Sequence, residues 1–345
     1  MEIYNRRYIG NKRKLLMNIE KAVIDYIGEE KYIFADLFGG TGVVAEHFAK
    51  KGYKVIVNDI LYSNYIFYRT WIGNEKVDEE KIEKYIKKFN EVDPGEIESN
   101  YFSEIYGEKY FSIPDAKKIG YIRDEIESLK TKLNEREYYM LLSSLLYATD
   151  KIANTVGHFE HYLSKSPEVK GVLLRKPSNI NNKYSSKVYR LNANELVKRI
   201  KCDIAYIDPP YNSRQYINFY HVLENLANWD KPTEFEGKSM KFKRNHLKSD
   251  YSKSKAAESF KDLINNIDAK YIVMSYNNTY NANSGASNNK ISEEEIYEIL
   301  SSKGELFIEE IPYKFFNSGK TKFDNHIEKI YICKIKWLCK LKYGK

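Results

Sequence analysis

The feature that most constrains the fold is an apolar run that ends in a glycine-rich turn. Residues 32–38 are largely apolar, a glycine-rich turn at 39–42 follows, and residues 43–50 carry apolar side chains at helical spacing. A second apolar run at 54–58 comes directly afterwards. This order of strand, tight turn, helix and strand is typical of the parallel sheet of an α/β protein.

The same alternation continues through the second half of the chain. Three further apolar runs predict strands, at 203–207, 270–275 and 305–309. Three stretches with helical periodicity separate them, at 216–229, 256–267 and 292–302. Alternation of this kind predicts a parallel sheet with helices on both faces. A last apolar run at 329–337 follows without an intervening helix, so we expect it to join as an antiparallel edge strand.

Two segments interrupt this pattern. Residues 75–187 are rich in helical periodicity, so we interpret them as an inserted domain between 1–74 and 188–345. Residues 231–255 are polar, basic and poor in periodicity, which predicts a loop or a weakly structured arm.

The positive charge is concentrated in two places. The formal net charge is +8, residues 165–190 hold seven basic residues against one acidic, and residues 231–255 hold eight against three. Basic surfaces gain affinity for phosphate backbones by releasing condensed counterions, so these runs favour a polyanionic partner. An ordinary solvated surface is the alternative for either run.

Several classes of protein are disfavoured by the composition. The three cysteines form no CxxC pair, which favours a reducing, cytoplasmic compartment. His158 and His161 have no carboxylate or cysteine at metal-ligand spacing, so we expect no metal site. The longest apolar stretch, at 138–148, is broken by two serines and is too short to span a bilayer, so we expect no membrane segment.

The turn after the first strand suits a bound ligand. Residues 36–42 read Asp-Leu-Phe-Gly-Gly-Thr-Gly, and glycines there let backbone come close to a ligand. Asp59, after the next strand, is placed to accept hydrogen bonds from ribose hydroxyls. Gly40, Gly42 and Ala45 also fit the dinucleotide pattern G-x-G-x-x-A, so a nicotinamide or flavin enzyme stays open, as does a tight turn without a ligand.

A second motif, Asp208-Pro209-Pro210-Tyr211, follows the apolar run at 203–207. Ligands of open α/β sheets bind where parallel strands end. Asp208 can accept a hydrogen bond from an exocyclic amine, Pro209 offers its carbonyl to the second amine hydrogen, and Tyr211 offers a face for stacking on a base. Two prolines also hold the segment rigidly extended. The alternative is that the prolines simply end a strand.

Together the motifs resemble the alpha group of adenine-N(6) DNA methyltransferases of the DPPY type, and the resemblance covers most of the chain. It implies a Rossmann-like class I S-adenosylmethionine-dependent fold with a mixed seven-stranded sheet. It further implies a catalytic, cofactor-binding domain at 1–74 and 188–345, with a mainly helical target-recognition domain inserted at 75–187. Residues 231–255 would be a basic loop insertion in the catalytic domain.

The resemblance also assigns roles to individual residues. Catalysis falls to Asp208, Pro209 and Tyr211. Binding of S-adenosylmethionine falls to Tyr8, Lys12, Asp36, Phe38, Gly40, Asp59, Ile60, Asn192, Ala193 and Asp208. Asn192 stands where the family usually has an aspartate that faces the cofactor adenine. Residues 212–216, 220–224 and 275–278 resemble one branch of the group, as do residues 154–158, which we expect to contact DNA.

The implied activity is methyl transfer from S-adenosylmethionine to the exocyclic amino group of a flipped-out adenine in duplex DNA, without a metal. We expect a cytoplasmic monomer, with double-stranded DNA and a cognate restriction endonuclease as candidate partners. Two alternatives stay open. One is methylation of another planar amine, in RNA, on cytosine or on a protein glutamine; the other is a non-catalytic, sequence-specific DNA-binding protein of the same fold.

Overall fold

The structure is a computed structural model that describes residues 1–3, 6–178, 185–278, 288–312 and 327–336. Its α-helices are α1 (Leu16–Tyr26), α2 (Val43–Lys50), α3 (Tyr62–Ile72), α4 (Glu79–Glu91), α5 (Tyr101–Tyr106), α6 (Ile113–Ser128), α7 (Glu135–Ile152), α8 (Ala193–Val197), α9 (Tyr216–Asn228), α10 (Ala256–Asn266) and α11 (Glu293–Ser301). Its strands are β1 (Ile33–Asp36), β2 (Lys54–Asn58), β3 (Ser186–Tyr189), β4 (Ile204–Ile207), β5 (Phe235–Glu236), β6 (Lys241–Phe242), β7 (Tyr271–Asn277), β8 (Gly304–Pro312) and β9 (Ile327–Ile335).

Seven strands form one mixed sheet in the order β3-β2-β1-β4-β7-β9-β8. Strand β4 runs parallel to β1 and β7, strand β3 runs parallel to β2, and β9 is antiparallel to β7 and β8. This confirms the predicted α/β class and the seven-stranded sheet, which are consistent with a class I methyltransferase fold.

The predicted edge position of the last strand is wrong, although its antiparallel direction is confirmed. Strand β9 lies between β7 and β8, and β8 forms the edge. The reason is burial, since the run Ile330–Cys333 of β9 is buried throughout. Strand β8 instead exposes Glu305, Glu310 and other residues, as an edge strand tolerates.

The strand β3 at the opposite edge was not predicted. It holds only four residues, none of them buried, so its sequence carries no apolar signal. Its register on β2 pairs Val55 with Ser186 and Asn58 with Tyr189. The parallel pair therefore ends at Asn58 and Tyr189, so Asp59 and Arg190 are the first residues to leave the sheet here.

The chain divides into two compact units. The first comprises residues 1–14, 39–192 and 215–249. In it α3, α7 and α9 pack against one another, and α7 is buried along nearly its whole length. Arg136 on α7 is fully buried because its guanidinium donates to the carbonyls of Thr70, at 3.0 Å, and Glu75, at 2.9 Å.

The basic segment at 231–255 has more structure than the predicted loop. Strands β5 and β6 form a short antiparallel pair within it, and two 3-10 turns follow. Ser239 anchors it in the first unit, because its carbonyl lies 2.7 Å from Nε2 of His221 and 3.2 Å from the hydroxyl of Tyr110. Its own hydroxyl donates to the carbonyl of Glu160 at 2.7 Å. Polar partners of this kind leave no trace in hydrophobic periodicity.

The second unit comprises residues 15–38, 193–214 and 250–345. Strands β1, β4, β7, β9 and β8 lie in it, together with α1, α8, α10 and α11. Asp203 fixes the start of β4, because its carboxylate accepts the amide of Ile33 at 2.8 Å and pairs with Lys270 at 2.8 Å. Because β1, β4 and β7 are parallel and in register, their carboxyl ends lie at one edge of the sheet.

The assignment of residues 1–74 and 188–345 to catalysis and of 75–187 to target recognition stays a prediction. The two compact units are defined by contacts within the chain, and these do not show which segment binds a substrate.

Candidate functional site

In the second unit the Asp208 motif lies at the carboxyl end of β4, as predicted. Pro209 is buried, whereas Asp208 and Tyr211 keep part of their surface exposed. The carbonyl of Tyr211 accepts the amide of Lys290 at 2.8 Å and the hydroxyl of Tyr276 at 3.4 Å. The rings of Tyr211 and Tyr276 meet edge to face, with centroids 6.4 Å apart. The motif is therefore fixed from β7 while its acid and its ring stay accessible.

The end of β1 lies at the same edge of this unit. Asp36 is almost fully buried, and Phe38 meets the ring of Tyr251 edge to face at 5.1 Å. The hydroxyl of Tyr251 donates to Asn194 Oδ1 at 3.0 Å, next to Ala193 at the start of α8. Tyr251 thus links Phe38 to Asn194, the residue that follows the predicted cofactor residue Ala193. Sequence analysis missed Tyr251, because it falls in a segment predicted as a loop.

In the first unit the glycine-rich turn has the backbone that its glycines allow. Gly40 and Gly42 have φ angles of 53° and 82°, in the left-handed region that side chains rarely adopt. A Cβ on Gly40 would lie 3.0 Å from the ring of Tyr8. The hydroxyl of Tyr68 donates to the Gly40 carbonyl at 2.8 Å, which fixes the turn.

Asp59 closes this turn from the end of β2. Its Oδ2 accepts the amide of Gly40 at 3.0 Å, and its Oδ1 accepts the amide of Leu61 at 2.9 Å. Desolvation raises the pKa of Asp59 to about 6, although bonds from Leu61, Asn64 and Gly40 favour its charged form. The carboxylate is held rigidly and stays ionised at neutral pH.

Tyr8 lies against the same turn. Its ring stacks on that of Tyr220 with centroids 4.7 Å apart and planes within 1°, and its hydroxyl accepts from Asn64 Nδ2 at 3.2 Å. Burial, and then the charge of Asp59, raise the pKa of Tyr8 above its usual value, so the phenol stays protonated. The first unit therefore brings together Tyr8, Gly40 and Asp59, three of the residues predicted to bind the cofactor. Lys12 is also buried, at 6% exposure, which is unusual for a lysine.

The remaining predicted residues follow the ends of β2 and β3. The side chain of Asn58 bonds the backbone of Leu191 twice, at 3.0 and 2.9 Å, so the two chain segments leave the sheet side by side. The carbonyl of Ile60 accepts from Arg190 Nε at 3.4 Å. Asn192 is exposed.

Residues 8–299 match the model of the D12 class of N6 adenine-specific DNA methyltransferases. The chain belongs to this family. The match includes both motifs, and it favours a methyltransferase over the nicotinamide or flavin enzyme that the glycine pattern alone left open.

Curated relatives of this chain are named as modification methylases or type II methyltransferases. Modification methylase StsI of Streptococcus sanguinis is 37% identical, over 93% of this chain and 50% of the relative. Type II methyltransferase M.FokI of Planomicrobium okeanokoites is 35% identical, over 90% of this chain and 50% of the relative. Type II methyltransferase M.NlaIII of Neisseria lactamica is 33% identical, over 92% and 95% respectively. The chain thus spans about half the length of the first two relatives and nearly all of the third.

Two kinds of feature are absent from the described residues of the chain. No group of three or more His, Cys, Asp or Glu side chains there could hold a metal ion. No helix in the same residues is long and apolar enough to cross a membrane.

Proposed function

We propose that this chain transfers a methyl group from S-adenosylmethionine to the exocyclic amino group of a flipped-out adenine in duplex DNA. The observation that carries the proposal is the Asp208-Pro209-Pro210-Tyr211 segment at the carboxyl end of β4, in a chain of the D12 family. Its acid and ring are partly exposed on a segment fixed through the Tyr211 carbonyl.

The residues fit S-adenosylmethionine by the chemistry of their donors and acceptors. The ionised Asp59 carboxylate suits two ribose hydroxyls, and Gly40 leaves open a space beside the Tyr8 ring that a Cβ would enter. When bound, the cofactor supplies a methyl group on a positively charged sulfur. We assign its binding to Tyr8, Lys12, Asp36, Phe38, Gly40, Asp59, Ile60, Asn192, Ala193 and Asp208.

The chain's own part in the reaction is to hold and orient the amine. Asp208 would accept one amine hydrogen, the Pro209 carbonyl would accept the other, and Tyr211 would stack on the base. These contacts fix the direction of the nitrogen lone pair, and alignment of this kind accounts for much of the rate gain in a direct transfer. Asp208 would also take up the proton that the methylated amine must release.

Duplex DNA as the substrate requires base flipping. An adenine inside the stack hides its amino group, and extruding it costs a few kcal/mol, which stacking and hydrogen bonding in the pocket offset. We assign target recognition to residues 75–187, catalysis to 1–74 and 188–345, and phosphate contacts to the two basic runs. We further propose a cytoplasmic monomer that protects DNA from a cognate restriction endonuclease.

The test is transfer of tritiated methyl groups from S-adenosylmethionine to unmethylated genomic DNA, followed by nucleoside analysis. We expect the label in N(6)-methyladenine. Label in cytosine, or only in RNA or protein amines, would replace adenine by another planar amine. Cofactor binding without any transfer would favour the non-catalytic DNA-binding alternative.

A further inference from the structure

Glu224 is a buried acid that the proposed reaction does not use. It lies on α9, is 0% exposed, and accepts hydrogen bonds from the amides of Tyr62, at 3.0 Å, and Ser63, at 2.6 Å. These amides open α3, where the N-cap residue Leu61 makes no side-chain cap. Helix N-termini need acceptors for their first amides, and a carboxylate is favoured there. Glu224 thus caps α3 from another helix.

Asp59 accepts the amide that immediately precedes the two amides bonded to Glu224. Because Asp59 accepts the amide of Leu61, three consecutive amides end on two carboxylates. Ile60 lies between Asp59 and the capped amides, and its carbonyl accepts from Arg190, whose guanidinium also reaches Asn228 Oδ1 at 3.3 Å. Asn228 in turn donates to the Glu224 carbonyl at 2.9 Å. The Asp59 turn is therefore clamped through both its amides and its carbonyl.

The first turn of α3 also reaches Tyr8. Asn64, next to the capped Ser63, donates to the Tyr8 hydroxyl at 3.2 Å and accepts from Arg6 at 2.7 Å. The position of this single helical turn therefore sets the positions of both Tyr8 and Asp59.

We infer that Glu224 is a positioning residue for cofactor binding, which acts by fixing the first turn of α3 and, through it, Asp59 and Tyr8. The inference rests on the proposed function only in taking S-adenosylmethionine as the ligand of these two residues. Glu224 touches no reacting atom, so its loss weakens binding of the cofactor and spares the methyl-transfer step.

Glu224→Gln tests this with little change of shape. Glutamine keeps one acceptor oxygen but loses the charge and turns an NH2 group towards one of the two amides. Hydrogen bonds to charged groups are stronger than those to neutral groups, and we expect part of this difference to appear in ligand affinity. We expect the Kd of S-adenosylmethionine, measured by calorimetry, to rise about tenfold, while the transfer rate at saturating cofactor stays within about twofold.

Glu137→Gln is the matched control. Glu137 is also a nearly buried capping acid, at 3% exposure, and it accepts the amides of Asp78 and Asn134 at 3.0 Å each. These partners, together with Lys81 at 2.7 Å, lie on or beside α4 and at the start of α7 rather than on α3, so we expect this variant to lower the Tm and leave the cofactor Kd unchanged. An unchanged Kd in Glu224→Gln, or an equal rise in both variants, would overturn the inference.

Asn228→Ala provides a second test should Glu224→Gln not fold. It removes the link between Glu224 and Arg190 and a 3.4 Å bond to Glu224 Oε2, but it leaves both capping bonds to the amides of α3 in place. We expect a two- to threefold rise in Kd with a Tm near that of the wild type, and an unchanged Kd counts against the inference.

Calorimetry on the wild type also separates this inference from the proposed function. A wild type that binds cofactor without methylating DNA refutes the substrate and leaves Glu224 testable, whereas a wild type that does not bind cofactor refutes both.

Discussion

Asp59 and Asp208 each follow a parallel strand, but the two residues after each acid differ. Asp59 is followed by Ile60 and Leu61, and its carboxylate accepts the Leu61 amide two residues on. Asp208 is followed by two prolines, which have no amide hydrogen, so the same local ring cannot close. The following residues thus decide whether a strand-end acid can bond the amide two residues on.

This difference suits two different tasks. The oxygens of Asp59 are fixed by Gly40 and Leu61, as binding of a ribose in one geometry requires. Asp208 cannot form this ring with its two following residues, and its side chain is partly exposed, which suits it to accept a hydrogen bond from a substrate amine and later to take its proton. The central claim is therefore that Asp59 serves affinity for the cofactor and Asp208 serves the transfer step.

Asp208→Ala should have the largest effect. Removing the acceptor of the amine hydrogen should lower kcat for methyl transfer about 1000-fold or more, by analogy with the loss of a preorganised group in other active sites. Because Asp208 is one of ten residues assigned to the cofactor, the cofactor Kd should stay within about threefold. Asp203→Asn, at the opposite end of the same strand, is the control; it should lower Tm, because it pairs with Lys270, without a comparable loss of kcat. Retained turnover in Asp208→Ala would refute the assigned role.

Asp59→Ala should weaken cofactor binding and spare the transfer step. Loss of the carboxylate removes the acceptor for the ribose and frees the Gly40 and Leu61 amides. We expect the Kd of S-adenosylmethionine to rise about 100-fold, consistent with the loss of two charged hydrogen bonds of about 1.5 kcal/mol each. Transfer at saturating cofactor should persist, and a Kd equal to that of the wild type would contradict the assignment.

The cofactor Kd should also depend on pH. The pKa of Asp59 is raised to about 6, so the acid becomes protonated as pH falls through that value and loses acceptor capacity. We expect the Kd to be flat above about pH 7 and to rise by up to about tenfold per unit below pH 6. The folded-state pKa lies above the unfolded one, so the carboxylate itself lowers stability as pH rises from about 4 to 6. Calorimetric titrations from pH 5 to 8 measure the effect, and Asp59→Asn should abolish it.

Pro210→Ala should reduce the difference between the backbone that follows Asp208 and the backbone that follows Asp59. Alanine restores an amide two residues after Asp208, so the carboxylate can close the ring that Asp59 forms. We expect kcat to fall by about five- to tenfold without a change in cofactor Kd. Pro114→Ala, at the start of α6, is a control for loss of a proline elsewhere. Wild-type kcat in Pro210→Ala would show that the prolines do not tune Asp208.

The sequence predicted those parts of the fold whose residues are buried. Strand β2 and helix α2 occur at the predicted residues, because their apolar patterns and flanking glycines are unambiguous. The Asp208 motif and the Asp59 turn follow strands for the same reason. Strand β3 was not predicted because it is short and has no buried residue. The position of β9 in the sheet was predicted wrongly because hydrophobic periodicity does not determine the order of strands.

The contacts that support the candidate site were not predictable. Glu224 lies more than 160 residues from the amides that it caps, and no local pattern links them. Tyr251 is buried against Phe38 from a segment whose composition indicates a loop. Glu224 and Tyr251 both act through tertiary contacts. A single sequence does not show which distant residues will be in contact. The resemblance to one branch of the family at 220–224 was the only signal for Glu224.

The most direct test of the central claim is the single-turnover rate of methyl transfer to DNA as a function of S-adenosylmethionine concentration, for the wild type, Asp59→Ala and Asp208→Ala. The account predicts that Asp59→Ala shifts the half-saturation concentration about 100-fold and keeps the plateau rate. It predicts that Asp208→Ala keeps the half-saturation concentration, measured by binding where the rate is too low, and loses the plateau. The claim is contradicted if both variants change the same parameter.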